Sequence, residues 1–142
     1  MEDYFLILIK DVKNIVLGKF YKDREELENY ISANNIIKSN CDINLYQNIQ
    51  NVAEIMTQND IAISVGGTTL VELASLGIPT ICFSMADNQI PGTIKYAEDE
   101  LMLYAGDIRK DKVIDNIVEN VDGLTQDIEK LCLIWWKIIL MV

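Results

Sequence analysis

The hydrophobic pattern is clearest in the middle of the chain, between residues 60 and 89. Ile61–Val65 lacks alternation of polar and apolar residues, which is typical of a strand buried on both faces of a parallel sheet. Gly66 and Gly67 follow this strand, and a short helical segment comes after them. Pro79 then opens a second strand, since proline has no N–H to donate and is tolerated where a strand begins. The pattern predicts a strand-helix-strand unit.

The flanking segments predict further strands and helices around this unit. Apolar residues at helical spacing predict a helix over Met1–Asp11. Other helices are expected from Asp23, from Asn51, over Ile90–Glu98 and over Lys110–Val121, and other strands over Val12–Gly18, over Ile36–Lys38 or Ile43–Tyr46, and over Leu101–Ala105. This order predicts one α/β domain over residues 1–130, a Rossmann-like parallel sheet with helices on both faces.

The turn between the strand and the helix of the central unit is a candidate ligand site. Gly66 and Gly67 permit positive φ and close approach of a ligand to the backbone. Thr68 and Thr69 offer hydroxyls where the first N–H groups of the helix lack partners, and these donors together with the helix dipole favour an anion. Ligands of open α/β sheets bind beyond the carboxyl ends of the strands.

The same residues allow a purely structural interpretation. Thr69-Leu70-Val71-Glu72 matches a capping box, in which Thr69 and Glu72 would satisfy only the N-terminus of their own helix. A second observation favours a site: Asp87, Asn88 and Gln89 place polar side chains in the turn after the next strand, on the same edge of the sheet, where a plain loop more often carries glycine or serine. Both interpretations stay open on the spacing alone.

The block from Ser64 to Gln89, with its Gly66-Gly67-Thr68-Thr69 turn, resembles the C-terminal half of nucleotide-sugar enzymes with the GT-B fold. The resemblance is closest to the UDP-sugar hydrolase of pseudaminic acid synthesis and the spore coat polysaccharide biosynthesis protein. It is more distant to the peptidoglycan N-acetylglucosaminyltransferase, which has a glycosyltransferase family 28 C-terminal domain. The similarity extends from about Val12 to Asp107.

The resemblance implies that the chain binds the UDP part of a UDP-sugar in surface polysaccharide or sialic-acid-like sugar synthesis. The diphosphate would contact Gly66, Gly67, Thr68 and Thr69. The ribose would bind Glu72, the uracil would lie near Ile49, and the sugar would face Asp87, Asn88 and Gln89. We expect no cofactor, no metal and no catalytic residue within this chain.

The chain departs from the family in two ways. It has no histidine, whereas the hydrolases take a catalytic histidine from their N-terminal domain. It also opens on a predicted helix where the family has a strand, so we expect the first strand of the sheet to be missing, with Ile15–Leu17 paired directly with Ile61–Val65 or the sheet left incomplete without a partner. We therefore expect binding without catalysis unless a separate N-terminal half is present. The alternatives are a subunit of a split glycosyltransferase and a non-catalytic interaction domain with a structural glycine turn.

The amino-acid composition limits which partners and which cellular compartment we expect for the chain. The net charge of -10 and the sequence pI near 4.3 disfavour nucleic acid and anionic membranes as partners, and require local dipoles to hold any phosphate. Cys41, Cys82 and Cys132 are odd in number and there is no histidine to complete a metal set. Acidic Glu2 and Asp3 argue against a signal peptide. A reduced, cytoplasmic protein is expected.

The segment Leu131–Val142 differs from the rest of the chain. It is apolar apart from Lys137 and contains Trp135 and Trp136. It is too short to span a bilayer, which needs ~20 residues. We interpret it as a tail separate from the domain, either a docked helix or a contact to another copy of the chain or to a membrane surface.

Overall fold

The computed structural model describes residues 5–9, 13–33 and 43–120, and side chains within 14–33 and 43–120. The strands are β1 (Phe5–Ile9), β2 (Lys13–Leu17), β3 (Ile43–Gln47), β4 (Ile61–Val65), β5 (Thr80–Ser84) and β6 (Leu103–Asp107). The helices are α1 (Arg24–Ala33), α2 (Val52–Thr57), α3 (Thr68–Ser75), α4 (Ile90–Glu98) and α5 (Val113–Glu119), and a 3-10 turn (Asp87–Gln89) precedes α4.

The six strands form one sheet in the order β3-β2-β1-β4-β5-β6. Five of them are parallel, since β2 pairs parallel with β3, and β4, β5 and β6 pair parallel in turn. Strand β1 runs antiparallel to both neighbours, with Phe5 opposite Leu17 and Leu6 opposite Ser64. The domain is therefore an α/β domain whose sheet is parallel except for its central first strand.

The predicted helix over Met1–Asp11 is wrong for Phe5–Ile9, which form β1. A short apolar run fits both a buried helix and a buried strand, and pairing on both sides decides for the strand here. The central position is thus filled, so the expected gap in the sheet is also wrong, and Ile15–Leu17 does not pair directly with Ile61–Val65. Three residues separate Ile9 from Lys13, a spacing that suits antiparallel strands because parallel ones need a long crossover.

Helices cover both faces of the sheet, as predicted. Helices α1 and α5 pack on one face, where Leu27, Ile31, Val113 and Ile117 join Ile15, Ile63 and Phe83 in one buried cluster. Helices α2, α3 and α4 lie against the other face, where the buried cluster contains Met56, Leu70, Leu73, Ala62 and Cys82. The strands of the central unit are buried on both sides, which explains their unbroken hydrophobicity.

Several element boundaries follow the sequence signals. The Asn51 side chain caps α2 by accepting a hydrogen bond from the Glu54 N–H at 3.4 Å, and α4 has the predicted bounds. The last strand begins two residues later than predicted because the chain is still turning at Glu100, whose φ is +58°. The Leu101 N–H donates back to the carbonyl of Tyr96 at 2.9 Å.

Some predictions fall on residues outside the described part of the chain. These are the strand over Ile36–Lys38, the domain boundary at residue 130 and the tail Leu131–Val142. Within residues 5–9, 13–33 and 43–120, no helix combines the length and hydrophobicity that a membrane crossing requires.

Candidate functional site

The carboxyl ends of the five parallel strands meet at one edge of the sheet, and the loops after β4 and β5 are neighbours there. The Gly66 N–H donates to the carbonyl of Phe83 at 2.8 Å, which continues the strand pairing into the turn. The 3-10 turn after β5 packs directly on the glycine turn, because Gln89 Cβ lies 3.0 Å from the place where a Cβ on Gly66 would be.

The two glycines of the turn are required for different reasons. A Cβ at Gly66 would lie only 2.9 Å from Thr93 Cγ2 of α4, so the close packing of that helix excludes a side chain. At Gly67 the space is open, but φ is +142°, a backbone conformation that other residues rarely adopt. The turn therefore has a structural explanation whether or not a ligand binds.

The capping box predicted from Thr69 and Glu72 is wrong. Helix α3 begins at Thr68 with Gly67 as its N-cap, and no side chain caps it. Thr69 is the second helical residue and Glu72 the fifth, so their side chains are not placed to exchange bonds with the first turn. Among the described residues, neither the two threonine hydroxyls nor the Glu72 carboxylate takes part in a hydrogen bond or ion pair. The start of α3 is an open N-terminus.

One cavity of about 320 Å³ lies between the loop that precedes α2 and the start of α3. Its lining residues are Ile49, Gln50, Asn51, Val52, Ala53, Thr68, Thr69 and Glu72. The N-termini of two helices border it, and they differ: Asn51 closes that of α2, whereas that of α3 has no side-chain cap. The cavity thus brings together four of the sequence-predicted site residues, Ile49 from the loop before α2 and Thr68, Thr69 and Glu72 from α3.

The other five predicted site residues do not line this cavity: Gly66 and Gly67 lie in the turn before α3, and Asp87, Asn88 and Gln89 form the 3-10 turn after β5. The Gln89 Oε1 accepts hydrogen bonds from the backbone N–H groups of Met85, at 2.8 Å, and Ala86, at 3.3 Å, and so closes its own turn. Asp87 is paired with Arg109, and Asn88 is exposed without a hydrogen bond in the described part of the chain. Asp87, Asn88 and Gln89 thus lie beside the glycine turn, and we call this turn the second wall of the site.

Sequence reasoning missed Arg109, which organises this second wall. Its Nε donates to Asp107 Oδ1 at 3.0 Å, and its Nη2 donates both to Asp107 Oδ2 and to Asp87 Oδ1, each at 2.7 Å. Asp107 is buried at the end of β6, and hydrogen bonds from the Arg109 side chain and backbone lower the pKa of its carboxyl to about 2. Both carboxylates raise the pKa of Arg109 above its ordinary value. An Asp-x-Arg sequence after a strand was the signal available.

Buried hydroxyls fix the position of α4 beneath the two loops. Ser84, the last residue of β5, lies 2.9 Å from Thr93 Oγ1 and 3.1 Å from the Tyr104 hydroxyl through its own Oγ. The Cys82 thiol on the same strand is buried, and this burial raises its pKa to about 11, so the thiolate needed of a nucleophile is disfavoured. These side chains therefore support the site without supplying reactive groups.

Comparison with known proteins assigns neither a family nor a fold to the chain. No family model matches the chain, and no solved structure matches it. Among curated proteins, the "Uncharacterized protein MJ1062" of Methanocaldococcus jannaschii is 40% identical over 68 residues, which are 48% of this chain. The match covers 13% of that protein, so the chain corresponds to only a small part of its length.

Proposed function

We propose that the chain binds the UDP part of a UDP-sugar, as the nucleotide-binding half of a two-part hydrolase or glycosyltransferase whose catalytic residues come from a separate N-terminal domain or subunit. The enzymes it resembles act in surface polysaccharide or sialic-acid-like sugar synthesis. The observation that carries the proposal is the single cavity that joins the open N-terminus of α3 to Glu72 and Ile49.

The cavity has the chemistry that a nucleoside diphosphate requires. Its volume of about 320 Å³ lies within the usual range of small-molecule sites, ~300–1,000 Å³. The uncapped first turn of α3 supplies N–H donors and the positive end of a helix dipole for phosphate. Glu72 supplies carboxylate oxygens with no protein partner in the described residues, and such oxygens can accept from two adjacent ribose hydroxyls. Ile49 supplies an apolar surface for a flat base.

None of the described residues that line the cavity is a lysine or an arginine. A diphosphate would therefore rest on backbone and hydroxyl donors, against the field of a chain whose net charge is -10. Because this field repels an anion at long range and is screened by salt, we expect UDP affinity to be modest and to rise with ionic strength. Most nucleotide sites with basic residues lose affinity as salt is added.

A non-catalytic interaction domain is the second candidate, and one observation favours it. Gly66 is already required by its contact with Thr93 and Gly67 by its positive φ, so the glycine turn needs no ligand to explain it. This alternative predicts an empty cavity and no preference among nucleotides.

Calorimetry with UDP, UMP and uridine separates the two candidates. If the open N-terminus of α3 holds the second phosphate, UDP should bind about tenfold more tightly than UMP, which corresponds to ~1.4 kcal/mol. Thr68→Val removes one exposed hydroxyl at that turn and should weaken UDP binding but not uridine binding. Thr57→Val is the matched control, since Thr57 lies at the far end of α2, is not among the cavity's lining residues and donates to the Glu54 carbonyl. UDP that binds no better than UMP would leave the interaction domain as the function.

A further inference from the structure

Arg109 links the ends of two neighbouring strands. It follows β6 by two residues and holds the buried Asp107 carboxylate through Nε, Nη2 and its own backbone N–H, the last at 2.9 Å from Oδ1. With two side-chain donors on one carboxylate, the guanidinium plane has a fixed orientation. Its Nη2 then reaches Asp87, 22 residues earlier in the chain, at the first position of the 3-10 turn after β5.

The other hydrogen bonds of this turn come from residues close to it in the chain, and they include one from Thr93 Oγ1 to the Gln89 carbonyl at 3.0 Å. Asp87 has an 88% exposed side chain, and Arg109 is its hydrogen-bond partner within the described residues. Among the residues that the structure describes, the Gln89 side chain bonds to the N–H groups of Met85 and Ala86, which belong to the same loop. Since Gln89 packs on Gly66, the orientation of this turn determines what lies beside the glycine turn. The Arg109–Asp87 pair is therefore a tether between the rigid end of β6 and the second wall of the site.

We propose that Arg109 is a positioning residue, which fixes the turn Asp87–Gln89 beside the glycine turn and thereby sets the preference for a nucleotide sugar over the bare nucleoside diphosphate. This inference rests on the proposed function. The cavity that would hold UDP is lined by the loop before α2 and the first turns of α3, and neither Arg109 nor Asp87 is among its lining residues. Loss of the tether should therefore change the recognition of the sugar and leave UDP affinity unaltered.

The first test needs no ligand. Hydrogen exchange of the Met85 and Ala86 amides, which bond to Gln89 Oε1, reports on the turn directly. We expect Arg109→Met to accelerate this exchange by at least the roughly 1.4- to fivefold that corresponds to an exposed ion pair worth ~0.2–1 kcal/mol, because it also removes two donors from the buried Asp107 carboxylate. Arg109→Lys keeps a cation beside Asp107 but cannot hold both carboxylates in one plane, so it should give a smaller acceleration with the fold intact. Unchanged exchange in both variants would overturn the positioning role.

The second test measures sugar recognition. Calorimetry with UDP and UDP-N-acetylglucosamine should give the same UDP affinity, within about twofold, in wild type and Arg109→Met, but a smaller gain from the sugar in the variant. Arg24→Met is the control, because Arg24 also pairs with a carboxylate, Glu28, on the distant helix α1. A loss of UDP and UDP-sugar affinity in equal proportion would show that Arg109 does not act on the sugar side.

A double substitution tests whether Arg109 positions the turn through its bond to Asp87. If Arg109 acts by holding Asp87, then Asp87→Ala in the Arg109→Met background should add no further exchange and no further loss of sugar preference. Additive effects would overturn the tether. If wild type binds no UDP at all, the proposed function fails, while the exchange measurements and the double substitution still decide whether Arg109 positions the turn.

Discussion

Thr69 does not cap the helix that contains Glu72, because that helix begins at Thr68 and takes Gly67 as its N-cap. The side chains of Thr69 and Glu72 therefore do not bond to each other's backbone N–H groups, and both residues line the cavity beside them. This relationship removes the competing structural role of Glu72 and makes its substitution a clean test of ligand binding.

We expect Glu72→Gln to weaken UDP binding without changing stability. Glutamine keeps the shape of the side chain but loses the paired acceptance of two ribose hydroxyls. As an exposed side chain with no partner in the described residues, Glu72 should affect the free energy of unfolding by less than about 0.5 kcal/mol. Urea unfolding and UDP titration measure the two quantities. Glu119→Gln, on the opposite face of the sheet, is the control, and equal UDP affinity in all three proteins would remove Glu72 from the site.

Gly66→Ala should destabilise the domain through its contact with α4. The new Cβ would lie 2.9 Å from Thr93 Cγ2, and such overpacking typically costs ~1–3 kcal/mol. Thr93→Ser removes Cγ2 but keeps the hydroxyl that contacts Ser84. The double variant should therefore recover part of the loss, with the remainder due to Gln89 Cβ at 3.0 Å. If the two substitutions are simply additive in urea unfolding, the contact does not explain the glycine.

The central unit could be predicted from the sequence, whereas the first strand and Arg109 could not. Ile61–Val65 has an unbroken apolar pattern with a glycine turn behind it and leaves little choice of structure. Phe5–Ile9 is just as apolar, but the segment is too short for its pattern to distinguish a helix from a strand. Only its pairing with β2 and β4 in the structure identifies it as a strand. The Arg109–Asp87 pair joins residues that are 22 positions apart, and the hydrophobic periodicity of the sequence does not predict a contact between them.

We expect Tyr21→Phe to stabilise the protein. The Tyr21 hydroxyl is buried and has no hydrogen-bond partner in the described structure, and a buried unsatisfied polar group costs ~1–3 kcal/mol. The backbone bonds of Tyr21 to Gly18 and Gln47 do not depend on the hydroxyl. Urea unfolding at pH 7 should show a gain of about 1 kcal/mol. A loss of stability would mean that the hydroxyl has a partner in solution.

The raised pKa of Tyr21 predicts that the protein becomes less stable at alkaline pH. Burial, with Asp23 and Glu26 nearby, raises the pKa of Tyr21 from 10.0 to about 12. The folded state thus retains this proton between pH 10 and pH 12 while the unfolded chain loses it, so stability should fall as pH rises through that interval. Tyr21→Phe should remove this part of the decline, and identical alkaline profiles in the two proteins would contradict the shift.

The lowered pKa of Asp107 predicts that the protein becomes less stable at acid pH. Hydrogen bonds from Arg109 lower the pKa of Asp107 from 3.8 to about 2. Its stabilising contribution is therefore present above pH 3.8 and is lost as pH falls through 2. The difference in urea midpoint between wild type and Asp107→Asn should shrink as pH is lowered from about 5 to about 2. Asp115→Asn, an exposed carboxylate on α5, serves as the control, and a constant difference for Asp107→Asn would show that the Arg109 pairing contributes nothing.

Finally, we expect the purified chain to bind UDP-N-acetylglucosamine without releasing UDP. Hydrolysis needs a base within hydrogen-bond reach of the attacking water, and general-base help contributes ~10²–10⁴-fold. The chain has no histidine, Glu72 lies in the cavity assigned to ribose, and Asp87 has Oδ1 bound to Arg109. UDP release followed over time, with Asp115→Asn as the control, is the measurement. Steady turnover that survives repurification and disappears in Asp87→Asn would show that Asp87 is a base despite its pairing with Arg109, and that this chain needs no second half.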